Sequence, residues 1–206
     1  MHAFALHASS AKKRRRKTDV KALVSWPILL VIVLADAITK AVAAAVLAPS
    51  GVARPVFGET VRLTLVYNPG AAFGLYLGSF SRWIFMALTV GALIILWRLY
   101  RQTAHDDLVR VVAISLVAAG AIGNLIDRVR SDLGVVDFID VGIGLHRWPT
   151  FNVADMAVSS GAFLLAYVLW GEERTLNVAS GSGPANDRPG DRDVRPGDRN
   201  DATERL

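Results

Sequence analysis

The chain has 206 residues, of which 52% are hydrophobic, and a formal net charge of +5. It contains no cysteine, so disulfides, thiolate nucleophiles and cysteine-bound metals are excluded. The four histidines, His2, His7, His105 and His146, are scattered without metal-ligand spacing, and no metal centre or other cofactor is expected.

The first element is a basic segment, residues 1–22. Lys12, Lys13, Arg14, Arg15, Arg16, Lys17 and Lys21 crowd there against Asp19 alone. Such a run can bind nucleic acid. Directly before an apolar span it instead fits cytoplasmic retention and attraction to anionic lipid, so no nucleic-acid partner is expected.

About 20 consecutive apolar residues cross a bilayer core. Four stretches qualify, at residues 23–48, 83–100, 108–126 and 151–170. The first begins like a cleavable signal peptide, but Asp36 and Lys40 lie between its apolar block and the small residues 43–45. Arg98, Arg101 and Arg110 flank the short connection between the second and third stretches, which places it on the cytoplasmic side. Both termini are then cytoplasmic, and the two longer loops face outward.

The first outer loop alternates over residues 56–66, with Val61, Leu63 and Leu65 opposite Thr60, Arg62 and Thr64, which predicts a strand. Tyr67-Asn68-Pro69-Gly70-Ala71-Ala72-Phe73 follows, and its Pro-Gly pair predicts a tight turn, either a plain hairpin end or a rigid mount that aims Asn68 at a ligand. The second outer loop carries Asp137 and Asp140, both of which read as solvated acids in a loop. Residues 172–206 are rich in Gly, Pro, Asp and Arg and read as a disordered cytoplasmic tail, leaving 23–171 as the membrane domain. The expected fold is an all-α membrane protein with four transmembrane helices and a small β-containing outer loop.

Ionisable groups in hydrocarbon are costly and mark functional sites. At about 1.5 Å per residue, Asp36, Lys40, Asn124, Asp127, Arg128, Asn152 and Asp155 fall at one depth, near the outer face. Asp36 and Lys40 are i and i+4 and read as an ion pair with Lys40 reaching outward. Asp127 and Arg128 read as a second pair. Asn152 and Asp155 have the spacing of a capping box. Thr39, Ser159 and Ser160 read as helix-packing groups. A protease, a small proton-coupled transporter and a non-enzymatic scaffold all remain open on these residues.

Five blocks in order, Asp36-Ala-Ile-Thr-Lys40, Asn68-Pro-Gly-Ala-Ala-Phe73, Gly123-Asn-Leu-Ile-Asp-Arg128, Val135-Val-Asp-Phe138 and Phe151-Asn-Val-Ala-Asp155, resemble the bacterial lipoprotein signal peptidases, the type II signal peptidases. The resemblance covers residues 26–170. It implies an intramembrane aspartyl endopeptidase of the bacterial inner membrane, cutting prolipoproteins before a diacylglyceryl-modified cysteine. It implies Asp137 and Asp155 as the catalytic pair, with Asp36, Lys40, Asn68, Asn124, Asp127, Arg128 and Asn152 in support; Phe73, in the same loop as Asn68, is expected to shield the site from bulk water. The expected working unit is a monomer whose partners are the precursor and membrane lipid.

Overall fold

The protein is described from a computed structural model, which describes residues 20–70 and 78–179. Residues 1–19, 71–77 and 180–206 lie outside the described residues, and with them Phe73, most of the basic segment and most of the tail.

Four helices are long and apolar enough to cross a membrane. They are α1 (Val20–Val46), α2 (Ser81–Gln102), α3 (Leu108–Arg130) and α4 (Val153–Ala179). Large apolar side chains such as Trp26, Leu30, Leu88, Ile95 and Phe163 stand exposed on them, as lipid-facing residues do. The spans are longer than hydropathy alone suggests. Helix α3 continues to Arg130, so Asp127 and Arg128 sit in its last turn. Helix α4 continues to Ala179, well past Trp170, and Arg174 stacks over Trp170 there at 4.6 Å.

Between the spans, both longer loops contribute to one antiparallel sheet, ordered β1 (Ala53–Phe57), β2 (Val61–Asn68), β3 (Val135–Ile143), β4 (His146–Arg147). The alternating segment of the first loop is thus a hairpin rather than one strand. The second loop is not irregular: Asp137 and Asp140 lie on β3. The β2–β3 register opposes Arg62 to Asp140, Val66 to Asp137 and Asn68 to Val135. Asn68 and Asp137 are therefore diagonal neighbours across the pair, close enough for side chains to meet.

A small core of Ala43, Leu47, Leu65 and Phe138 packs the far end of α1 against β2 and β3. Two glycines permit the close approaches that complete this end. A Cβ on Gly123 of α3 would lie 2.6 Å from an Asp36 carboxylate oxygen and 3.2 Å from the Ala154 Cβ. Small residues where spans touch are the usual solution in lipid. Gly134 has φ +96°, and a Cβ there would lie 2.1 Å from the Asn68 carbonyl oxygen. The turn from α3 into β3 therefore runs directly beneath the end of β2.

Candidate active site

The site forms where the end of β2, the start of β3, the last turns of α3 and the first turn of α4 converge. Asn152 precedes α4 and accepts a hydrogen bond from the Asp155 backbone N–H at 2.9 Å. The Asp155 carboxylate accepts in return from the Asn152 backbone N–H at 3.2 Å. This reciprocal pair is a capping box, so the structural reading of the spacing is correct. Its side chains also have second duties.

The Asn152 amide donates to Asp137 Oδ1 at 2.7 Å and to Asn124 Oδ1 at 3.2 Å. Asn124 donates to Asp155 Oδ1 at 2.8 Å. Asn68 donates to Asp137 Oδ2 at 3.1 Å, and its own Oδ1 accepts from the Gly70 N–H at 3.0 Å. That local bond fixes the Asn68 side chain as an Asx-type turn does. Three asparagines thus hold two carboxylates, one from a strand and one from a helix, on one wall.

Asn68, Asn124 and the two carboxylates line a cavity of about 820 Å³, together with Arg128, Trp148, Phe151 and Met156, a size usual for ligand sites, while Asn152 is fully buried behind them. The cavity continues along α4 past Val158 to Ser159 and Ser160. Asp137 is almost fully buried, at 3% exposure, and Asp155 is half-buried. Burial pushes the Asp137 carboxyl up to about 7, with the Asp155 charge adding to the effect. Hydrogen bonds from Asn68 and Asn152 and the charge of Lys40 act in the opposite direction and do not cancel it.

Behind the asparagines lies a charged layer. Lys40 bonds Asp36 at 2.7 Å, Asp127 at 2.9 Å and the Asn124 side-chain oxygen at 3.0 Å. The expected Asp36–Lys40 pair is present. Lys40 does not reach outward, however; it is 3% exposed and turns into the bundle, where two carboxylates await it. Nor do Asp127 and Arg128 pair with each other. Asp127 is committed to Lys40 and also accepts from the Val136 N–H at 3.2 Å. Arg128 donates to the Gly70 carbonyl at 2.8 Å and the Asn124 carbonyl at 3.1 Å, while its buried Nε has no partner.

Several contacts that build the site gave no signal in the sequence. Asp36 Oδ1 accepts from the Ala154 backbone N–H at 2.9 Å, so α1 supplies an anion to the α4 N-terminus, where free N–H groups favour negative charge. Arg82 donates to the Arg128 carbonyl at 2.6 Å and the Val129 carbonyl at 3.2 Å and pairs with Asp132, closing the end of α3. Asp140 is not a solvated loop acid. It is 5% exposed and accepts from Arg62 at 2.8 Å, Arg147 at 2.8 Å and Thr64 at 3.1 Å. Burial pushes its pKa up, but hydrogen bonds from Arg147, then Arg62 and Thr64, outweigh that and hold it below the usual carboxylate range.

The family described as Signal peptidase (SPase) II matches residues 28–170. The lipoprotein signal peptidase of Burkholderia mallei (strain SAVP1) is 38% identical over 158 residues, covering 75% of this chain and 93% of the relative. That of Cupriavidus taiwanensis is 46% identical over 119 residues, covering 56% and 65%. A bacterial membrane enzyme solved by the in meso method at 2.3 Å resolution superposes with a TM-score of 0.66 at 35% identity, covering 72% of this chain and 88% of that one. The five sequence blocks, the four spans and these matches agree: the chain is a multi-pass membrane protein and belongs to the signal peptidase II family, the lipoprotein signal peptidases.

Proposed function

We propose that this member removes signal peptides from prolipoproteins by aspartyl catalysis, with Asp137 and Asp155 as the catalytic pair and the diacylglyceryl-modified cysteine on the product side of the cut. The observation that carries the reading is the asparagine bridge. Asn152 and Asn124 tie the two carboxylates to one another at the wall of the cavity. Family membership leaves the transporter and scaffold readings without support.

Two adjacent carboxyls share a proton because both cannot readily ionise. Asp137, the more buried and the one pushed up to about 7, holds that proton at rest. Asp155 is the ionised partner. Water lies between them and the scissile carbonyl. Asp155 takes a proton from the water as its oxygen bonds to the carbonyl carbon. Asp137 gives its proton to the carbonyl oxygen, forming a neutral gem-diol. Collapse breaks the C–N bond. Asp155 then protonates the leaving amine, and Asp137 recovers a proton from one hydroxyl. The pair ends as it began.

The supporting residues act through placement. Asn68, Asn124 and Asn152 orient the carboxylates. The Lys40–Asp36–Asp127 layer fixes Asn124 and the start of α4 without touching substrate. The unpartnered Nε of Arg128 offers a donor to the precursor main chain or its ester groups. The cavity extends along α4 at membrane depth, so the precursor helix enters sideways from lipid. The active site faces outward from the bacterial inner membrane, and both termini are cytoplasmic. The test is cleavage by purified protein of a precursor peptide with and without the diacylglyceryl group. Equal cleavage of both would remove lipid recognition from the account.

A further inference from the structure

A second cavity, of about 650 Å³, lies at the end of the bundle opposite the aspartates, within the size range of ligand pockets. It opens where the first turns of α1, the last turns of α2 and the first half of α3 diverge. Its interior is apolar, with Leu29, Leu93 and Ile114. Its mouth is aromatic and cationic. Trp97 and Tyr100 stack at 5.9 Å, Arg101 sits 5.7 Å over the Trp97 ring, and His105 is exposed beside them.

Lys21 brings a further charge to this mouth. It is 5% exposed, lies 4.9 Å over Tyr100, and donates to the carbonyls of Tyr100 at 3.1 Å and Thr103 at 2.9 Å. Those bonds hold the cation at the α2 C-terminus.

One turn deeper on the same helix lies Ser25. Hydroxyls in membrane helices commonly bond back to the carbonyl four residues earlier. Thr39, Thr89 and Ser115 do so here, at 2.7 Å each. Ser25 does not. Its Oγ is buried, lines the cavity and has no hydrogen-bond partner. A buried hydroxyl without a partner is costly, and a ligand acceptor in the cavity would remove that cost.

We propose that this cavity binds one anionic phospholipid from the leaflet at that end of the bundle. The phosphate sits at the mouth near Lys21, Arg101 and His105, a glycerol-ester oxygen accepts from Ser25, and an acyl chain follows Leu29 and Leu93 inward. The sequence supplies a reason for anionic rather than neutral lipid. Six consecutive basic residues, 12–17, precede α1, and such runs enrich anionic lipid at the surface they meet. Basic pockets between spans are the usual seat of such headgroups.

The test uses the full-length chain in neutral detergent, with bound lipid counted by native mass spectrometry after titration with phosphatidylglycerol or phosphatidylcholine. One phosphatidylglycerol should be retained in preference to phosphatidylcholine. Replacing Arg101 and His105, both exposed, together by Gln should weaken retention about fivefold or more, with folding checked by circular dichroism. Ser25→Leu, which fills the cavity, should abolish it, with folding checked by circular dichroism. Equal retention of phosphatidylcholine would overturn the proposal, leaving only an apolar groove. So would displacement of the lipid by inorganic phosphate alone, or unchanged retention in the doubly substituted protein.

Discussion

Asn152 donates its side-chain amide to the Asp137 carboxylate at 2.7 Å, and the same residue caps the helix that carries Asp155. One asparagine therefore sets the position of a strand carboxylate relative to a helix carboxylate. The two duties separate by substitution. Asn152→Ala should lose the cap, at about 1 kcal/mol, and most of the cleavage rate. Asn152→Ser retains a good cap and should recover stability, but without an amide it should not recover kcat. Recovery of both by Ser would show that only the cap matters.

The charged layer makes a different prediction. Asp36→Ala leaves Lys40 with one carboxylate fewer and the Ala154 N–H without its acceptor. Breaking one side of a buried pair costs about 3–5 kcal/mol, whereas replacing both by apolar groups is often far milder. Folded yield should fall in Asp36→Ala and partly return when Asp36→Leu and Lys40→Met are combined with Asp127→Asn, so that neither Lys40 nor Asp127 is left as an unpaired charge. A triple variant no better folded than the single one would refute the ion-pair role.

Asp137 predicts a pH dependence. Its pKa near 7 means that the folded protein holds a proton that the unfolded chain, with its carboxyl near 3.8, releases. The associated stability is fully present below the unfolded value and is lost as pH rises through about 7. In the proposed mechanism the same proton is the catalytic acid, so kcat should also fall as pH rises through this range. Asn68 favours the charged form, so Asn68→Ala should move that alkaline limb to higher pH. A limb that moved down or stayed fixed would detach Asn68 from Asp137.

Asp140 should matter to the sheet rather than to chemistry. Asp140→Asn weakens charged hydrogen bonds with Arg62 and Arg147 and should cost about 2 kcal/mol. Thermal unfolding of the purified protein measures this, and an unchanged melting temperature would contradict it.

The four spans were legible because a predominantly apolar run of that length, even with a few polar residues in it, fits little besides a membrane crossing. The convergence of Asp36, Lys40, Asn124, Asp127, Asn152 and Asp155 was legible because helical rise converts sequence position into depth. Partner choice was not. Lys40 meets Asp127 and Asn124 across 80 or more residues, and Asp36 meets Ala154, through packing that periodicity does not encode. Strand β3 was not legible although Val135–Ile143 is rich in β-branched residues, because its two aspartates suggest a wet loop. Asp137 became a candidate only through the family resemblance.

The most direct measurement is turnover of a diacylglyceryl-modified precursor by Asp137→Asn and Asp155→Asn, each purified and shown to be folded. An amide can neither take a proton from water nor share one with its neighbour, so each variant should lose cleavage by at least about a thousandfold. Near-normal turnover in either variant would remove that residue from the pair and contradict the aspartyl mechanism.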